Sequence, residues 1–182
     1  MANREALRQL QSRLAQRLRA AREEARTASW LAVESAGQGL LVALPTAGEI
    51  FPFGAVMPVP HTQPWFVGVA NLRGGLHGVI DTAAFLGLRP TMSASESVRE
   101  QARLLALNAN LGSHCALLVE KLAGLRNADQ LTREPAQEGP RPPFAGARWR
   151  DADGRIWQEL DLPALAQHEQ FLAIAQGAMA AA

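Results

Sequence analysis

Cysteine is almost absent: Cys115 stands alone among 182 residues. That excludes an internal disulfide and any zinc or iron–sulfur centre built on a cysteine cluster. Long apolar runs are missing as well. The longest, Leu40 to Leu44 and Cys115 to Val119, reach about five residues, against the roughly twenty that cross a bilayer as a helix. The N-terminus lacks the apolar stretch of a secretory signal and carries an arginine-rich polar segment instead. A soluble, cytoplasmic chain with no membrane insertion is expected. GxGxxG, P-loop, HExxH and GxSxG motifs are all lacking. The four histidines, His61, His77, His114 and His168, lie far apart and show no metal-ligand spacing; His77 and His114 read as solvent-facing or strand-capping. Cys115 reads as a small buried hydrophobe. No catalytic residue, cofactor or metal is expected.

What is present is core material. Hydrophobic residues make up 48% and charged residues 19%, a globular balance. The net charge of +1 is unevenly spread. Residues 1–29 carry seven Arg against three Glu (+4), and the rest carries eleven Arg plus Lys against fourteen acids (−3). A slightly negative body is a poor footprint for nucleic acid, where several phosphates must be neutralised together.

Residues 3–27 read as a helix, because Leu7, Leu10, Leu14 and Leu18 recur at spacings of three and four with no Gly or Pro. Its stripe packs on the body, docks on a partner or pairs with itself. From Trp30 onward, short apolar stretches are punctuated every eight to twelve residues by Gly, Pro, Asn or Asp, the rhythm of small β-barrels. Strands are predicted near 30–35, 40–44, 51–59, 67–72, 76–80, 103–108, 114–120, 122–126, 145–150 and 155–160. A short helix is predicted at 82–86 and a closing helix at 162–176, capped by Asp81 and Asp161, with a loop over 127–143. Both halves share a plan: Gly68 or Gly146 opens a strand, a turn follows, and a second strand ends in Asp81 or Asp161 before a helix. This divides the chain into an N-terminal extension (1–28), a two-lobed body (29–177, lobes near 29–88 and 100–177, intertwined) and a disordered tail (178–182).

The most informative stretch is Val56 to Leu88. Pro58, Pro60 and Pro64 keep the chain extended, and Asn71-Leu72-Arg73-Gly74-Gly75 reads as a hairpin turn with Arg73 at its tip. Pro64-Trp65-Phe66-Val67-Gly68-Val69-Ala70-Asn71-Leu72-Arg73-Gly74, then Val79-Ile80-Asp81, then Phe85-Leu86-Gly87-Leu88, resembles the signature of CheW-like adaptor domains. Val119-Glu120-Lys121-Leu122-Ala123-Gly124-Leu125 resembles a second feature of that family. Gly78 and Thr82 depart from it, standing where the family often has a proline and a leucine. The wording of 56–74 is most similar to members that serve twitching motility.

The resemblance implies a mainly β fold of two packed five-stranded SH3-like barrels and no catalysis. It implies a coupling role between the cytoplasmic tip of a methyl-accepting chemoreceptor and the regulatory domain of a CheA-type histidine kinase, in a system controlling type IV pili. Arg73 matches the family's coupling arginine, with Asn71 and Gly74 beside it. Affinity in an adaptor requires exposed apolar anchors, and Val42, Val56, Met57, Val69 and Leu118 are the candidates for an inter-lobe groove. The alternative is a small-ligand-binding or regulatory sensor module on the same scaffold.

Overall fold

In the run Cys115 to Val119 apolar residues do not alternate with polar ones. The computed structural model, which describes residues 29–90, 100–136 and 139–175, shows the reason: both faces of this strand are buried. Leu117 and Val119 enter one apolar cluster, and Ala116 and Leu118 enter another. A strand covered on both sides reads as a continuous hydrophobic run. The expected helix over 3–27 and the tail 178–182 lie outside the described residues.

Eleven strands are described: β1 (Trp30–Ser35), β2 (Gln38–Ala43), β3 (Ala47–Pro52), β4 (Phe66–Leu72), β5 (Gly75–Asp81), β6 (Arg103–Leu107), β7 (Cys115–Val119), β8 (Lys121–Arg126), β9 (Leu131–Arg133), β10 (Ala145–Asp151) and β11 (Ile156–Leu160). Helix α1 (Thr82–Phe85) follows β5, and α2 (Leu162–Ala166) and α3 (Glu169–Leu172) follow β11. One sheet has the order β8-β1-β2-β11-β10-β9 and the other β3-β6-β7-β5-β4. Sheet membership therefore does not follow the chain segments 29–88 and 100–177. The second sheet is inserted whole between β2 and β8, because β11 pairs in parallel with β2 at Trp157–Gly39 through Leu160–Val42.

The two sheets nevertheless repeat one plan. Read from β8 and from β3, successive neighbours pair antiparallel, antiparallel, parallel, antiparallel. Each hairpin ends in an aspartate that caps a short helix. Asp81 Oδ1 accepts from the Ala84 amide at 3.2 Å, and Asp161 Oδ1 from the Ala164 amide at 2.9 Å. Their backbones nearly coincide, at φ −69, ψ 101 and φ −78, ψ 101.

Three apolar layers result. Between the sheets lie Leu31, Val33, Leu40, Val42 and Leu160 from one side, and Phe66, Ile80, Leu105, Leu117 and Val119 from the other. Inside the first sheet's curl sit Ala32, Leu41, Leu131 and Trp157; inside the second sit Ala70, Leu72, Val79, Leu104 and Leu118. Gly39 gives Trp157 its place, since a Cβ there would lie 2.7 Å from the indole.

Three expected elements differ. The strand expected at 51–59 lies earlier, at Ala47–Pro52: its ladder with β6 ends at the Pro52–Arg103 pair, and further on Pro58 and Pro60 have no amide donor with which to extend one. The loop expected over 127–143 contains a 3-10 turn, Ala128–Gln130, and β9. Leu131, 7% exposed, plugs the barrel there, and its strand pairs with Trp149–Asp151, so this sheet has six strands. The closing helix breaks in two at His168, which turns extended (ψ 131). The break lets Phe171 enter the core, stacked on Trp65 and edge-on to Phe85.

Candidate functional site

The β4–β5 hairpin turns through two residues, Arg73 and Gly74, at φ 50 and φ 84. A two-residue turn of this hand requires positive φ at both positions because it must match the strand twist. Glycine adopts that conformation freely, and a Cβ at Gly74 would meet nothing within 4 Å. For Arg73 the same region costs about 1–2 kcal/mol. Asn71 Oδ1 offsets part of this by accepting from the Gly74 amide at 2.8 Å. Asn71 and Gly74 thus shape the tip, and Arg73 is what the tip presents: its side chain is 76% exposed.

Strands β3 and β4 are the two edges of their sheet, yet the Arg73 guanidinium reaches Glu49 Oε1 on β3 at 2.6 Å. The sheet therefore curls until its edges meet. Further along, Met57 and Val69 exchange both backbone hydrogen bonds at 2.8 Å, closing the seam. Gly68 makes that approach possible. It sits at φ 142, and a Cβ would lie 2.2 Å from the Met57 carbonyl oxygen. Between the edges a cleft of about 390 Å³ remains. Buried Ala70, Leu72 and Leu104 line it, with Glu49 and exposed Asn71 and Arg73 at its margin.

The five other candidates separate by burial. Val42 is fully buried between the sheets and Leu118 is 5% exposed inside the second barrel, so neither lines a surface groove. The expected inter-lobe groove is filled at these positions by core. Val69 is partly buried against the inter-sheet layer and Val56 against the barrel interior. Met57 is 70% exposed beside the hairpin. Residues missed by sequence reasoning are Glu49, Ile50 and Leu76, the last 66% exposed and opposite Asn71 in the hairpin. Nothing in the local sequence ties Glu49 to Arg73; only closure of the sheet does.

The two barrels are also joined by charge. Asp81, fully buried, receives Arg89 in a two-pronged pair, Nη1 to Oδ2 at 2.9 Å and Nη2 to Oδ1 at 3.2 Å. The same guanidinium donates from Nε to Glu120 Oε1 at 3.2 Å, and Glu120 Oε2 accepts the Ala36 amide of the β1–β2 turn at 3.0 Å. One arginine therefore links a helix cap of one sheet to a hairpin of the other.

Perturbed groups have structural explanations. The Arg155 guanidinium holds the Glu34 carboxyl below its ordinary range, and Arg150 does so for Glu134. The Trp157 indole N–H, donating at 2.8 Å, does the same for Asp151. Burial pushes the Cys115 thiol up, away from nucleophilic use. A larger cleft, about 770 Å³, opens beside α2 and α3 and is lined by Gln63, Trp65, Gln167 and His168. None of the expected site residues lies on it.

Residues 29–170 match the family described as CheW-like domain. The chain is 28% identical over 167 residues to Protein PilI of Pseudomonas aeruginosa, covering 90% of this chain and 89% of that one. Its fold is similar to the crystal structure of scaffolding protein TtCheW from Thermoanaerobacter tengcongensis, with a TM-score of 0.59 at 15% identity over 74% of this chain and 88% of that chain. The mainly β architecture with two SH3-like barrels is the fold of that neighbour.

Proposed function

The chain belongs to the CheW-like domain family, and we propose that it is a non-enzymatic adaptor of chemosensory signalling, coupling methyl-accepting chemoreceptors to a CheA-type histidine kinase in a system that controls type IV pili. Similarity to PilI supports the pilus assignment. The cytoplasm, at receptor arrays, is where such an adaptor works; no described helix is long and apolar enough to cross a membrane.

The observation that carries this reading is the Arg73 tip. A strained, 76% exposed arginine is held out by Asn71 and Gly74 and loosely satisfied by Glu49. An exposed ion pair is worth little, about 0–1 kcal/mol, so an acidic partner group exchanges for Glu49 at small cost. Met57 and Val69 beside the seam supply apolar area, and Val56 backs them from the barrel side. Polar contacts then set register while the apolar residues supply affinity. Pull-down of the receptor tip and the kinase regulatory domain tests it. Arg73→Glu is expected to reduce capture of at least one of them, and undiminished capture of both refutes the assignment.

A further inference from the structure

His77 and His114, far apart in sequence, are neighbours across the parallel pair β5 and β7. The Gly78 amide donates to the His114 carbonyl at 2.8 Å, and the next rung pairs Gly78 with Cys115. Their imidazole centroids are 5.8 Å apart with planes at 79°. Gly75 makes the seat for one ring, since a Cβ there would stand 3.1 Å from His77 Cε1. His77 Nδ1 lies 3.1 Å from the Gly75 carbonyl oxygen. A carbonyl can only accept, so Nδ1 is the donor in this contact, and in the neutral ring that leaves the Nε2 lone pair available. That arrangement, one ring nitrogen donating to a backbone carbonyl and the other left basic, is how metal-binding imidazoles are oriented. Among the described residues, no hydrogen bond or ion pair engages the His114 ring, and His114 is exposed. Arg73, the cation two residues before Gly75, pairs with Glu49.

We propose that His77 and His114 form a two-imidazole site for a borderline divalent transition ion of the Zn²⁺, Ni²⁺ or Cu²⁺ class, with its remaining positions held by water. Imidazole selects these ions over Mg²⁺ and Ca²⁺, which require oxygen donors. With metal–nitrogen bonds of about 2.0–2.1 Å, two rings on one ion have centroids about 5 Å apart. The observed separation of 5.8 Å is within about 1 Å of that, and because the rings stand edge-to-face, the exposed His114 must also rotate about its side-chain bonds to aim a nitrogen at the ion. Two donors give a weaker site than the three or four of resident zinc centres, so the ion exchanges with solvent.

Isothermal titration of NiCl₂ into the full chain tests this, with His77→Gln, His114→Gln and His61→Gln as variants and circular dichroism to establish that each is folded. The expected result is one ion per chain. Affinity is expected to fall at least about tenfold in His77→Gln and in His114→Gln and to be unchanged in His61→Gln. Line broadening by Ni²⁺ in NMR spectra, centred on residues 75–78 and 114–115, reports the same site without mutation. Absence of uptake, loss in only one of the two variants, equal loss in His61→Gln, or broadening elsewhere overturns the assignment.

Discussion

Replacing Gly68 by alanine tests the barrel seam most sharply. The new methyl would lie 2.2 Å from the Met57 carbonyl oxygen, 2.8 Å from its carbon and 3.0 Å from Pro58 Cα. All three are backbone atoms, so no side chain can swing aside, and strand β4 or the 57–58 segment must retreat. Two terms add. Holding an L-residue at φ 142 costs about 1–3 kcal/mol. Breaking the two Met57–Val69 hydrogen bonds costs about 0.5–1.5 kcal/mol each. The sum, about 2–6 kcal/mol, is a large share of the usual 5–15 kcal/mol of domain stability. At about 2–4 °C per kcal/mol for a chain of this size, thermal unfolding should drop by about 4–24 °C. Gly74→Ala is the control: its φ is also positive at 84, but the Cβ meets open space. It should cost only the conformational strain, about 1–2 kcal/mol. Urea denaturation of the three proteins, with hydrogen exchange at the Met57 and Val69 amides, measures both terms. Equal stability of Gly68→Ala and Gly74→Ala, or unchanged protection of the two amides, would refute the reasoning.

Arg89→Ala removes the two-pronged pair on the buried Asp81 carboxylate and should destabilise the fold by about 3 kcal/mol by chemical denaturation; a loss below about 1 kcal/mol would mean the pair is not holding the barrels together. Arg73→Glu should change stability by no more than about 1 kcal/mol, because the pair it breaks is exposed, so a severe loss of stability would show that the tip is structural. Acid sensitivity has a definite sign. Glu34 and Asp151 are held below their ordinary range in the folded protein, so their contribution is full above the unfolded carboxylate pKa of about 4. It is lost as pH falls through the depressed folded values. Urea midpoints should be flat from pH 7 to about 5 and fall below that, less steeply in Asp151→Asn; midpoints rising toward pH 3 would contradict the assignment.

Much of the strand pattern is legible in the sequence because turns have their own chemistry. Arg73-Gly74 and Ala36-Gly37 place glycines where φ must be positive, and both aspartate caps act as their positions suggest. Two kinds of fact are not legible. Parallel pairing of β11 with β2 joins residues more than a hundred positions apart, and nothing local encodes that register. Burial on both faces erases the alternation that would say which side a residue takes, so the sequence pattern does not separate Val42 and Leu118 from Met57. The hairpin tip was readable down to its arginine; its counterion Glu49 was not, because an ion pair across a closing seam depends on curvature rather than on spacing.

Coupling itself is measured by kinase autophosphorylation in membranes bearing the cognate receptor, with and without this chain. An adaptor predicts that attractant changes kinase activity only when the chain is present, and that Arg73→Glu, folded and stable, abolishes this control. Receptor control of the kinase that persists without the chain, or that Arg73→Glu leaves intact, would contradict the adaptor reading and the role of its hairpin.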